Sequence, residues 1–107
     1  MAFRSMPVVR KRREEVVTQC VNLRTDDYDV YIGRGSRWGN PFKIGEHGSR
    51  ERVIELFRDY AAHMYVSGRW TKEVLLRLKD KKLGCYCAPR ACHGDVLIEL
   101  IELVDSQ

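Results

Sequence analysis

The sequence predicts a small single-domain α/β protein, a few-stranded sheet packed by about three helices. Three observations carry that expectation. Residues 16–23, 28–32 and 82–87 read as short strands, and apolar positions recur at helical spacing after Ser49, after Thr71 and after the Cys-His pair at 92–93. In chain order this gives β, β, long loop, α, α, β, α, a pattern that suits a small sheet covered by helices. The length of 107 residues leaves room for one modest core and not for two.

The beginning of the chain is set apart by charge. Arg4, Arg10, Lys11, Arg12 and Arg13 place five cations and no acid in the first thirteen residues. The chain has 19 basic and 15 acidic residues, so the remainder holds 14 against 15, and the net charge of +4 belongs to this end. Residues 1–15 are expected to form a basic flexible tail, and residues 16–107 the single domain. Such a tail adds salt-sensitive affinity for polyanions, which makes nucleic acid a candidate partner through Arg10, Lys11, Arg12 and Arg13. A solvated, solubilising tail explains the same charges. No apolar block with a small-residue cleavage site follows Met1, and no apolar run approaches the ~20 residues that span a bilayer. A cytoplasmic location with no membrane partner is therefore expected. There cysteines stay reduced, which favours metal binding or reactivity over disulfides.

Residues 16–23 and 28–32 give the first two strands, with Asp26 and Asp27 as the turn between them; a hairpin is the simplest pairing. Residues 33–42, Gly-Arg-Gly-Ser-Arg-Trp-Gly-Asn-Pro-Phe, are too rich in glycine and proline for regular structure and form a loop. Ser49 is an N-cap, followed by Val53, Leu56, Phe57, Tyr60, Ala61 and Met64 at helical spacing until Gly68. Thr71 caps a shorter helix with Val74, Leu75 and Leu78 facing inward. Residues 82–87 are the third strand, and Asp95 opens the last helix, with Val96, Leu97, Leu100, Ile101 and Val104 as its apolar face.

Chemistry concentrates in two places. The run from Cys85 to Asp95 holds three of the four cysteines and one of the three histidines. Residues two apart on a strand share a face, so Cys85 and Cys87 point the same way, and the turn at Pro89 returns Cys92 and His93 toward the strand end. Thiolates and imidazole suit zinc, and Cys85, Cys87, Cys92 and His93 make a tetrahedral Cys3His set. A second reading uses the helix start, whose unpaired amides bind an anion such as phosphate and lower the pKa of Cys92. Cys92 is then a candidate catalytic nucleophile, with His93 or Asp95 as acid or base. The plain alternatives are that Asp95 is only the N-cap, that Cys85 is a small buried hydrophobe, and that Cys20 on the first strand is core.

The second place is the loop. Arg34 and Arg37 present planar forks suited to phosphate, Trp38 offers a flat surface for a base, and Asn40 can pair with a base edge. Arg50, at the start of the long helix, can join the same pocket. The glycines match neither the P-loop nor the G-x-G-x-x-G pattern. The structural alternative is a compact surface loop in which Trp38 and Phe42 plug the core and the arginines are solvated.

Taken together, Val21-Asn22-Leu23-Arg24, Tyr28 through Arg34, Trp38-Gly39-Asn40-Pro41-Phe42, and Gly84-Cys85-Tyr86-Cys87 through Pro89 to Cys92-His93-Gly94-Asp95-Val96-Leu97 resemble a small family of phage and bacterial proteins, a domain of unknown function numbered 4326. The resemblance covers about residues 20–103 and leaves the basic tail outside. It implies a phage or mobile-element setting and brings no activity. The residues themselves suggest that the loop and the Cys-His helix start are opposite walls of one pocket for a phosphate-bearing nucleotide or nucleotide-derived metabolite. The alternative is a zinc-stabilised nucleic-acid binding module.

Overall fold

The computed structural model describes residues 17–107; the basic tail and Val16 lie outside the described residues, and with them the role expected of Arg10, Lys11, Arg12 and Arg13. Three short strands, β1 (Gln19–Asn22), β2 (Val30–Tyr31) and β3 (Lys82–Cys85), form one sheet in the order β1-β3-β2. Both pairings are parallel, with Cys20 opposite Leu83, Asn22 opposite Cys85, and Val30 also opposite Leu83. The fold is α/β, as its sequence predicts, but the expected hairpin is absent. The reason lies in β3, whose Leu83, Gly84 and Cys85 are all buried while β1 is only half-buried. A strand covered on both faces belongs in the centre of a parallel sheet, so the two early strands flank it instead of pairing with each other.

This order forces residues 23–29 across the sheet. Turn hydrogen bonds from the Thr25 and Asp26 amides to the Asn22 carbonyl start the crossing. It ends where the Lys82 amide donates to Asp29 Oδ2 and the Asp29 amide to the Lys82 carbonyl. On the way Tyr28 lies over Gly84, where an added Cβ would come within 2.8 Å of the ring. Glycine at the middle of β3 is what lets the crossing lie close.

Helix α1 (Arg50–Val66) starts as its sequence predicts, with Ser49 Oγ accepting from the Arg52 amide. It buries Val53, Phe57 and Ala61. Thr71 caps α2 (Lys72–Leu76), which is shorter than its apolar spacing suggests because turns take over at Arg77. Helix α3 (His93–Asp105) buries Val96, Leu97, Ile101 and Val104 against the sheet and the other helices. Trp70, in the short link between α1 and α2, is fully buried and anchors an aromatic group with Trp38, Phe57 and Tyr60. Each such side chain contributes about 1.5–3 kcal/mol by leaving water. The carboxyl ends of the strands and the start of α3 meet at one end of this core.

Candidate functional site

Three sulfurs converge where β1, β3 and α3 meet. Cys20 Sγ lies 3.3 Å from Cys85 Sγ and 3.8 Å from Cys92 Sγ, and Cys85 and Cys92 are 3.2 Å apart. Gly94 makes the approach possible, since a Cβ there would stand 2.7 Å from the Cys20 sulfur. Three thiols this close can hold a metal ion. Cys20, expected to be core, is therefore a member of the group, and Cys87 is not. Strand β3 ends at Cys85, and the chain then enters a turn closed by the Arg90 amide on the Cys87 carbonyl. Without a strand through 87, the shared face of Cys85 and Cys87 does not exist.

Contact with one another sets the three thiols apart in acidity. Hydrogen bonds from Cys20 and then Cys92 hold the Cys85 thiol far below the ordinary range. The same contacts act in reverse on the donors: Cys20 is pushed up mainly by its bond to Cys85, and Cys92 by its bonds to Cys20 and Cys85. The Cys92 pKa is thus raised rather than lowered as expected at a helix start, because its bonds to Cys20 and Cys85 outweigh the lowering contact with the Gly94 amide. Cys92 is buried and serves as the N-cap of α3, its sulfur accepting from the Gly94 amide at 3.2 Å. Asp95 does not open the helix but closes a capping box, its Oδ2 accepting from the Cys92 amide at 3.1 Å.

His93 is equally committed. Its Nε2 stands 2.7 Å from the Ile32 carbonyl, which can only accept, so the proton sits on Nε2 and Nδ1 carries the lone pair. Nδ1 lies 3.5 Å from Cys92 Sγ, outside the tight group of three. Phe57 meets the imidazole edge-on at 5.0 Å, and burial holds its pKa below the ordinary value. The histidine ties the start of α3 to the end of β2.

The loop divides its residues between architecture and surface. Trp38 is 7% exposed and packs on Trp70 with ring centroids 4.9 Å apart, so the expected base-stacking platform is a core plug. Asn40 donates from Nδ2 to the Val53 carbonyl and accepts at Oδ1 from the Phe42 amide, so its amide is engaged at both ends rather than offered to a base. The arginines stay at the surface with one hydrogen-bond partner apiece among the described residues, Arg34 on the Asn40 carbonyl and Arg37 on the Arg69 carbonyl, and Arg37 also lies 5.5 Å from the Trp38 ring centroid. A guanidinium has five N–H donors, so both retain donors for an anion.

Loop and strand end enclose one pocket of about 120 Å³, lined among others by Arg34, Asn40 and Phe42 on one side and Cys85, Tyr86 and His93 on the other. Arg50 stands apart from it, half-buried, with Nη1 on the Ala91 carbonyl.

With this geometry described, the known relatives can be set beside it. The family model described as Domain of unknown function (DUF4326) matches residues 10–103. The chain belongs to this family. The DUF4326 match starts earlier than the resemblance in residues 20–103 and takes in Arg10, Lys11, Arg12 and Arg13. An uncharacterised 12.4 kDa protein in the nrdA-td intergenic region of Enterobacteria phage T4 is 42% identical over 81 residues, covering 76% of this chain and 74% of its own. Uncharacterised protein R718 of Acanthamoeba polyphaga mimivirus is 31% identical over 115 residues, covering 91% of this chain and 78% of its own. No solved structure matches. No helix among the described residues is long and apolar enough to cross a membrane.

Tyr86 of this DUF4326 member lines the pocket without being among the site residues expected from the sequence. It follows Cys85 out of β3, is 55% exposed, and carries the Arg24 guanidinium 4.9 Å from its ring centroid. Its alternation out of phase with Cys85 was the available signal.

Proposed function

We propose that the pocket at the strand ends binds a phosphate-bearing nucleotide or nucleotide-derived metabolite, and that the protein sequesters or processes it in the cytoplasm, that of the host when phage-encoded. One observation carries the reading: Arg34 from the loop and His93 from the start of α3 line the same pocket at the carboxyl ends of parallel strands. Ligands of open α/β sheets bind at that end. Arg34 and Arg37 supply forks for phosphate, and Tyr86, in place of Trp38, supplies the exposed ring. Burial of Cys92 and His93 favours holding a ligand over covalent chemistry. The test is calorimetric titration of nucleoside mono- and triphosphates into the full chain. Saturable binding that Arg34→Ala weakens at least about tenfold is expected. Unchanged affinity in that variant would remove the pocket from consideration.

The sulfur group favours a second reading, a zinc-stabilised nucleic-acid binding module. Zinc at about 2.3 Å from each sulfur sets tetrahedral edges of about 3.8 Å. The Cys20–Cys92 edge already has that length, while the other two would open by about half an ångström. Native mass spectrometry of reduced protein should then show one zinc per chain. Binding of a single strand that falls steeply with salt and on deletion of residues 1–13 would favour this reading over the pocket.

A further inference from the structure

Three concavities follow one another along the carboxyl ends of the strands, joined by residues they share. The pocket of Arg34 and His93 shares Arg34 and Asn40 with a larger one of about 380 Å³ that adds Arg37 and Lys43. On its other side it shares Tyr86 with a third, of about 310 Å³, that holds Arg50 and Arg90. No carboxylate among the described residues lines any of the three. Cations therefore line both outer concavities, and the exposed Tyr86 ring lines the central one and the third.

That separation constrains the ligand. A site for a single phosphate needs cations in one concavity only. Here Arg34, Arg37 and Lys43 line one outer concavity, and Arg50 and Arg90 line the other together with Tyr86. Arg24 sits against one face of Tyr86, and the ring remains 55% exposed, which leaves surface for a stacked base. Arg50 uses Nη1 on the Ala91 carbonyl and keeps its other donors, and Arg90 is exposed. We infer that the ligand of these adjoining concavities carries two separate phosphate groups on one nucleoside, the chemistry of a nucleoside 3′,5′-bisphosphate. The inference rests on the nucleotide reading of the pocket and narrows its substrate class.

The experiment compares calorimetric affinities of the full chain for nucleoside 5′-monophosphates, the corresponding 3′,5′-bisphosphates and a single-stranded heptanucleotide, at one fixed salt concentration. The bisphosphate should bind about tenfold more tightly than the monophosphate, the gain of one charge-assisted contact. Arg90→Ala should erase that advantage and leave the monophosphate unaffected, while Tyr86→Ala weakens both. Equal affinity for the two, or equal loss of both in Arg90→Ala, would overturn the inference and leave the pocket reading standing. Binding of neither would end the pocket reading itself. Tight binding of the heptanucleotide alone would make the groove a strand-binding surface and overturn the bisphosphate assignment.

Discussion

The loop of residues 33–42 and the segment of residues 85–95 face each other across one pocket, and they are held in opposite ways. The loop is tied mostly to itself. Ser36 Oγ donates to the Gly33 carbonyl, Arg34 to the Asn40 carbonyl and the Phe42 amide to Asn40 Oδ1, all within six residues. The 85–95 segment is held from a distance, through Cys20 on β1, the Ile32 carbonyl beyond β2, and Asn22 Nδ2 on the Tyr86 and Ala88 carbonyls. A locally tied wall keeps its shape when one bond is lost, whereas a wall held by distant partners transmits each loss to several elements. The two walls should therefore respond differently to substitution.

The largest effect is expected where the loop does depend on the distant core. Trp38→Ala removes the plug packed on Trp70 and should destabilise the protein by about 3–5 kcal/mol. That is a large part of the stability of a small domain. Arg34→Ala, in the same loop but exposed, should change stability by less than about 0.5 kcal/mol while weakening nucleotide binding. Urea unfolding of the two variants checks the contrast, and comparable losses would show that the loop is not locally tied. For the other wall the equivalent pair is its distant partner Cys20 and its own Cys87. Cys20→Ser should lower zinc affinity by at least about a hundredfold, as expected for loss of a direct ligand, and Cys87→Ser should leave it unchanged. Competition with a chromogenic chelator measures both, and the reverse order would return the metal to the set Cys85, Cys87, Cys92 and His93.

The same division decides what was legible in the sequence. Ser49 and Thr71 announce their helices because capping is a local act between residues three apart. The α/β class follows from element order. Cys20 does pack against the core as expected, but its sulfur partners are hidden from the sequence because they depend on sheet order, and nothing local says that β3 lies between β1 and β2. Of the two readings of Trp38, ligand platform and core plug, nothing local selects the plug, because its partner Trp70 stands 32 residues further on, where no spacing rule links them. The capping box at 92–95 escaped notice because a thiol is not among the usual N-cap groups, so the helix start was placed at Asp95.

His93 gives the third contrast, in pH. Burial holds its pKa below the ordinary 6.5, so the folded protein binds a proton less readily than the unfolded chain. Its contribution to stability is complete above pH ~6.5 and is lost as pH falls from there through the folded pKa, with a limiting slope of about 1.4 kcal/mol per pH unit. His93→Gln keeps an N–H for the Ile32 carbonyl but does not titrate, so in chelator-treated protein its urea midpoint should decline less between pH 7.5 and 5.5. Parallel declines would assign the pH dependence to other groups.

The smallest effect tests how far a single bond carries along the segment held from a distance. Asp95→Ala removes the acceptor of the Cys92 amide and should cost about 1 kcal/mol, as for other capping residues. The Cys92 sulfur would still accept from the Gly94 amide, so α3 keeps half of its cap and its register. Asp95 is exposed and lines none of the three concavities, so zinc stoichiometry and nucleotide affinity should not change. If zinc or nucleotide binding weakened along with stability, the capping box would be positioning Cys92 and His93 rather than merely starting the helix. The contrast between the walls would then sharpen, since one part-buried hydrogen bond to Asp95 would reach both the sulfur group and the pocket.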